Sequence, residues 1–338
     1  MFDLHRLRML RELARLGTVT AAAEALTLSP SAVSQQLALL QREAGSVLFV
    51  RQGRRLRLTD AGRLLAEHAD RLLADAERAR AELAALAGSV SGPVRLSAFP
   101  TAARNLVPGA VARCRAAHPE LRIIMDEREP DDSFGALAGH ETDVALVHAY
   151  GLLSPLRAPG ITLSTLFEEP FVMLLPPDHP YGDGPVPLAA LADATWVATY
   201  SDTAGRGALD RACARAGFAP RVDFASNDYA VIMALVEAGL GVALVPRIAA
   251  PHGGGPPGDA PHVAAPPRDA PHEGGSHGGT PRGDAPYGGG PCVVGVAGEP
   301  VTRRIQLAVR DGAAGHPAVR ALSSALIAQA NDIPAFEM

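Results

Sequence analysis

From Ser29 to Gln41 the chain runs thirteen residues without a single charge, while Val33, Leu37 and Leu40 keep helical spacing. Few folds can use such a segment. An exposed helix of that length normally carries Glu or Arg, and a core helix is apolar all round. Ser29-Pro30 supplies a start signal, a capping hydroxyl followed by proline at the first helical position. The helix is expected to reach about Ala44, with Val33, Leu37, Leu40 and Ala44 inward. Ser31, Ser34, Gln35 and Ala38 then face outward, with Arg42 one turn further on. Short hydroxyls and carboxamides match base edges: Gln pairs in bidentate fashion with adenine, and Ala meets a thymine methyl. The competing reading is a polar-tolerant helix inside a small bundle.

The flanking segments favour a major-groove reader. Leu4, Leu7, Leu10, Leu13 and Ala14 predict a first amphipathic helix over 2–16, ended by Gly17, and Thr20 is expected to cap a short second one over 21–26. After the charge-free helix come Leu48-Phe49-Val50-Arg51, a Gln52-Gly53 turn and Arg54-Arg55-Leu56-Arg57-Leu58, which read as a β-hairpin. Three helices and a hairpin over 1–59 describe a winged helix-turn-helix. The wing carries Arg51, Arg54, Arg55 and Arg57 with no acid among them. Such arginines neutralise phosphates in a salt-sensitive way, although a charged hairpin also serves as a solvated edge.

Thr59 is placed to cap a long helix over 60–87. Leu65, Ala69, Leu72, Ala76, Ala79, Leu83 and Leu86 alternate spacings of four and three, an a/d heptad seam. Charged neighbours leave only this narrow stripe, so 60–90 is expected to be a dimerising linker helix and hinge; packing on its own domain is the alternative.

Beyond Pro93, strand and helix patterns alternate in two sets, which predicts an α/β body with mostly parallel sheets. The body, 91–338, is expected to form two lobes enclosing a cleft: lobe I over about 91–165 and 313–338, lobe II over about 166–312. Residues 251–291 break the pattern with 12 Gly, 10 Pro and imperfect Ala-Pro-His repeats. They hold too little apolar surface to offset chain entropy and are expected to form a disordered insertion. Their histidines, His252, His262, His272 and His277, are too widely spaced to predict a metal site.

Composition narrows the function. Hydrophobic residues are 47% of 338, enough for real cores, and the longest apolar candidate for a span, 230–246, is broken by Glu237. The N-terminus lacks the basic-then-apolar order of a secretory signal, and Cys114, Cys213 and Cys292 form no CxxC pair, so a cytoplasmic location is expected. Cys213 falls in a helical stretch and reads as a packed thiol. All 31 basic residues are Arg, and residues 1–90 are net +3 while the remainder is net −8. No nucleophile elbow, P-loop, HExxH or dinucleotide glycine motif stands between a strand and a helix. The expectation is a non-enzyme without cofactor or metal.

Leu16-Gly17-Thr18-Val19-Thr20-Ala21-Ala22-Ala23, Ser29-Pro30-Ser31-Ala32-Val33-Ser34-Gln35-Gln36-Leu37 and Leu48-Phe49-Val50-Arg51 resemble the head of LysR-type transcriptional regulators. The resemblance continues through the linker helix, Ala117-His118-Pro119-Glu120-Leu121 and Glu237-Ala238-Gly239-Leu240-Gly241-Val242-Ala243-Leu244-Val245-Pro246. It implies a head that binds double-stranded promoter DNA as a homodimer or homotetramer, with RNA polymerase as a further partner. It also implies a body similar to periplasmic binding proteins (type 2) that takes a small-molecule effector between its lobes. By matching positions, Thr20, Pro30, Ser31, Ser34 and Gln35 would touch DNA from the helices, and Arg51, Arg54 and Arg55 from the wing. Many members carry Arg where this chain has Gln35, so the preferred base would differ.

The resemblance puts the effector's first-lobe contacts just after the first strand of the body, at Thr101 and Ala102, where backbone N–H groups and a hydroxyl suit a carboxylate. Ser133, expected to precede the next helix, and His148, expected to end a strand, join them. Thr199, Tyr200, Ser201 and Asn227 would answer from the second lobe. A solute-binding or enzymatic α/β protein whose N-terminal helices only dimerise is the competing reading, and it has no use for the charge-free helix or the arginine wing.

Overall fold

The computed structural model describes residues 1–52, 55–86, 90–156, 158–182, 184–251 and 290–333. Its elements in chain order are α1 (Leu4–Leu16), α2 (Val19–Ala25), α3 (Pro30–Ala44), β1 (Phe49–Gln52), β2 (Arg55–Leu58), α4 (Asp60–Leu86) and β3 (Gly92–Ala98). Next come α5 (Pro100–Asn105), α6 (Val107–Ala117), β4 (Leu121–Glu127), α7 (Pro130–Gly139), β5 (Val144–Tyr150) and β6 (Ile161–Leu175). The chain continues with β7 (Thr195–Ala198), α8 (Ala204–Arg215), β8 (Arg221–Ala225), α9 (Tyr229–Glu237) and β9 (Ala243–Pro246). It ends with β10 (Cys292–Gly295), β11 (Thr302–Arg310) and α10 (Pro317–Asn331). Contacts divide it into two units, 1–170 with 301–338, and 171–300.

The head of unit 1 is built on local signals. Asp3 caps α1, accepting from His5 N at 2.8 Å, and Gly17 ends it in the left-handed region. Thr18, rather than Thr20, caps α2; its side chain accepts from Ala21 N, and Thr20 falls inside the first turn. Ser29 caps α3 by accepting from Ala32 N at 3.2 Å. Leu7, Leu10, Leu13, Ala22, Ala23, Val33, Leu37, Leu40 and Leu48 close over one another as the head core. β1 and β2 pair antiparallel, Phe49 opposite Leu58. Thr59 then accepts from Gly62 N at 3.1 Å and starts α4. A Cβ on Gly62 would lie 2.0 Å from the Leu48 carbonyl oxygen, so only glycine lets α4 pass this close to the hairpin.

The body of unit 1 has β3 between β4 and β5, all parallel, and β11 antiparallel to β5 and to the first part of β6. The sheet is therefore mixed rather than mostly parallel. The reason is that β6 starts at Ile161, ten residues before the apolar run that marks it in the sequence. Its first part alternates exposed and half-buried residues, a weaker signal. Two helices separate β3 from β4: α5 begins at Pro100, directly after β3, and closes at Asn105, and α6 follows from Val107. β11, assigned to lobe II from the sequence, pairs within unit 1.

In unit 2 the last residues of β6 pair antiparallel with β9 and β10, and β7 pairs parallel with β8. Val172, Leu174, Val197, Ile232, Val236, Ala243 and Val245 form its core. The Gly/Pro-rich insertion expected at 251–291 lies, apart from Pro251, Gly290 and Pro291, outside the described residues. Among the described residues no helix is long and apolar enough to cross a membrane.

Candidate DNA interface and effector site

Capping fixes where α3 begins and burial fixes how it is turned. With Val33, Leu37 and Leu40 sealed in the core, the opposite face of the same helix presents Pro30, Ser31, Ser34, Gln35 and Ala38 to solvent. Thr20 of α2 is also exposed. Ser29 and Ser31 hydroxyls lie 3.1 Å apart at the start of this face. Gln36 turns away from it and accepts from Arg6 Nε at 2.9 Å, while Arg6 also pairs with Glu43. Arg6 is thereby held on the flank of the helix, away from Ser31, Ser34 and Gln35. Of the wing residues, Arg51 and Arg55 lie in β1 and β2, and Arg54 lies outside the described residues.

Along α4 the expected seam divides. Ala69 is buried in the head core and Leu65 packs against that core, so both belong to the fold of the chain itself; Ala76 is half-buried. Leu72, Leu83 and Leu86 are 43%, 68% and 84% exposed, and Ala79 is exposed with them. This leaves an apolar stripe along the C-terminal part of the helix.

In the body of unit 1, three of the four sequence-nominated residues gather around Phe99. Thr101 is buried in the first turn of α5, and Ala102 follows it. His148, within β5 rather than at its end, meets the Phe99 ring edge-on at 4.6 Å and Tyr150 at 5.1 Å. Its Nε2 lies 3.3 Å from Glu129 Oε2, so the tautomer protonated there donates to the carboxylate. Burial lowers its pKa, with Glu129 acting against that, and its Nδ1 is buried without a partner. Ser133 departs from expectation. It lies inside α7, fully buried, accepts from Ser97 Oγ at 3.0 Å and is a link between helix and sheet.

Two charges that the sequence reading missed complete this cluster. Arg303 on β11 and Glu169 on β6 are 2% and 0% exposed. Arg303 Nη2 donates to Glu169 Oε1 at 2.6 Å and to Thr101 Oγ1 at 3.1 Å, and its guanidinium stands over Phe99, 5.2 Å from the ring centre. A buried charge is tolerable only when paired and hydrogen-bonded. The sequence signal was the inward register of Arg303 beside Ile305 and Leu307 in an apolar strand.

In unit 2, Thr199, Tyr200 and Ser201 follow β7 and Asn227 follows β8. The Asn227 side-chain oxygen accepts from Tyr200 N at 3.2 Å, and Thr199 and Thr203 hydroxyls share a 2.8 Å hydrogen bond. Thr203 also caps α8, accepting from Arg206 N at 3.2 Å. All four nominated residues thus stand at the ends of one parallel strand pair, with Tyr200, Ser201 and Asn227 exposed.

Residues 4–63 match the model described as bacterial regulatory helix-turn-helix protein, lysR family, and residues 87–256 match the LysR substrate binding domain. The chain belongs to the LysR family. As a LysR-type regulator it is a DNA-binding transcription factor with an effector-binding domain and not an enzyme. It is similar to a probable hydrogen peroxide-inducible genes activator of Mycobacterium avium, 32% identical over 69% of this chain and 74% of that protein. It is also similar to the HTH-type transcriptional regulator CysB of Burkholderia cenocepacia, 30% identical over 73% of this chain and 79% of the relative. The likeness in fold covers nearly all of the chain. The crystal structure of HinK from Pseudomonas aeruginosa superposes with a TM-score of 0.54 at 19% identity, covering 98% of this chain and 99% of that one.

Proposed function

We propose that this LysR-type regulator reads promoter DNA with the uncharged face of α3. Pro30, Ser31, Ser34 and Gln35, joined by Thr20, approach the bases, and Arg51, Arg54 and Arg55 of the wing take phosphates. The observation that carries this is the exposure of Ser31, Ser34 and Gln35 on a capped helix whose other face is sealed in the head core. The stripe of Leu72, Ala79, Leu83 and Leu86 suits a second copy of the helix, which makes the reader at least a dimer and its operator two-fold symmetric.

The small-molecule effector is proposed to engage Thr101, Ala102 and His148 of unit 1; Thr199, Tyr200, Ser201 and Asn227 are proposed as effector contacts of unit 2, and a cytoplasmic location is proposed with them. Because Thr101 Oγ1 already accepts from Arg303, its own O–H is left to donate, which favours an anionic acceptor such as a carboxylate. The unpartnered His148 Nδ1 would accept from a hydroxyl or amide of the same ligand. Binding acts by population shift, favouring one arrangement of the bodies and with it one spacing of the heads. Selection from a random duplex library tests the reading of the head: enrichment of a two-fold symmetric sequence is expected, and an unselected pool after successive rounds would reject it.

A further inference from the structure

We infer that unit 1 carries a second ligand site, for a small oxyanion, where α1 of the head, α4 and β11 of the body meet. The inference begins with a cation that lacks a close partner. Arg8, on the inward side of α1, has its Nε buried without a hydrogen-bond partner, and among the described residues no carboxylate lies within ion-pair distance of its guanidinium. Three other arginines share its surroundings, and each is already engaged. Arg11 is held by Glu12 at 3.1 Å, with Asp70 at 4.0 Å. Arg80 pairs with Glu77 at 3.1 Å. Arg310 pairs with Asp143 at 3.0 Å and lies 3.5 Å from Glu77, its Nε also lacking a hydrogen bond. One carboxylate, Glu77, therefore serves two guanidiniums, stands 3.7 Å from His140 as well, and acts on Arg8 only from beyond ion-pair distance.

A cavity of about 50 Å³ opens between these side chains, lined by Arg8, Arg11, Arg80, Arg310 and His140 with Asp70, Glu77 and Asp311. One water needs roughly 10–15 Å³ on this scale, so the space holds a group of about four oxygen atoms. At Arg8 the charges of Arg11, Arg310 and Arg80 outweigh that of Glu77, whereas Asp70 Oδ1, on the same wall, is itself buried without a hydrogen-bond partner. Asp311 accepts from Thr162 Oγ1 at 2.7 Å, and Asp70 is half-buried with its carboxyl raised by that burial. His140 registers the balance at the cavity wall: burial and then Arg310, Arg8, Arg80 and Arg11 push its pKa down to about 3. A tetrahedral oxyanion accepts from several guanidinium N–H groups at once and supplies the close partner that Arg8 Nε lacks. It would tie the head, through Arg8, to Arg80 of the linker helix and Arg310 of the body. This goes beyond the DNA-reading and effector proposals and does not depend on either.

Equilibrium dialysis of the full-length protein against radiolabelled inorganic phosphate, at fixed ionic strength set with sodium chloride, tests it without DNA. One saturable site per chain is expected, competed by unlabelled phosphate and sulfate. Arg8→Gln should weaken it at least ten-fold and Arg8→Lys less, with helical content unchanged by circular dichroism. Arg80→Gln, at a largely exposed position, should weaken it even if the Arg8 variants fold poorly. Absence of saturable phosphate binding overturns the site, as does binding left unchanged by substitution of both arginines.

Discussion

Arg303 Nη2 donates to Thr101 Oγ1 across 3.1 Å, and this one bond joins a buried charge on β11 to a residue in the first turn of α5. The same guanidinium holds Glu169 at 2.6 Å. Removing the acid strands a buried cation, and removing both charges does not. Glu169→Gln is expected to cost about 3–5 kcal/mol. Arg303→Met combined with Glu169→Leu should cost distinctly less. Urea denaturation of the three proteins measures both numbers, and equal losses would show that the pair is not the source of the destabilisation.

At Gln35 the expected loss is in discrimination. A bidentate contact is worth about 1–3 kcal/mol against the wrong base. Gln35→Ala should lose that much on the selected operator and little on scrambled duplex. Competition binding with the two duplexes checks the difference.

The wing should act through phosphate alone. Arg54→Ala is expected to weaken binding to all duplexes alike and to reduce the slope of log K against log salt by about one. A titration over salt concentration reads that slope directly.

His140 gives a pH signature. Its folded pKa, about 3, lies below its ordinary 6.5, so in acid the unfolded chain binds a proton that the folded chain refuses. Stability is expected to fall as the pH drops from about 6.5 towards 3, by less than about 1.4 kcal/mol per unit from this group because its ring is partly exposed. His140→Asn keeps a residue that tolerates the positive φ of 63° and should flatten the profile over that window. Thermal melts across the pH range measure it.

Cys213 is fully buried in α8, and burial pushes its thiol up to about 12. Thiolate is the reactive form, so it should resist alkylation and oxidation in the native state. Peroxide treatment is expected to leave operator binding unchanged. Mass spectrometry of iodoacetamide-treated protein checks the first point and a binding assay the second.

What could be read without the fold was what local chemistry dictates. Ser29-Pro30, Thr59 and the periodicity of Leu7, Leu10 and Leu13 set the head helices where the structure has them, because caps and apolar spacing act within a turn or two. Thr20 was misjudged as a cap because Thr18, two residues earlier, offers the same hydroxyl. Ser133 looked like a loop residue because α7 starts at Pro130 with no side-chain cap to announce it. The Arg303–Glu169 pair was hidden for a deeper reason. Its partners are 134 residues apart, and only the antiparallel register of β6 against β11 makes them neighbours. The seam on α4 was legible as a stripe, but which part the head core consumes depends on how α1 packs on it.

The most direct measurement is fluorescence anisotropy of the full-length protein on duplex DNA from upstream of its own gene, against a scrambled duplex, at two salt concentrations. Tight, salt-sensitive binding that prefers the upstream duplex, with the preference diminished by Gln35→Ala, is the expected result. Binding to neither duplex at low salt, or a preference untouched by Gln35→Ala, would contradict the assignment of α3 as the reading helix.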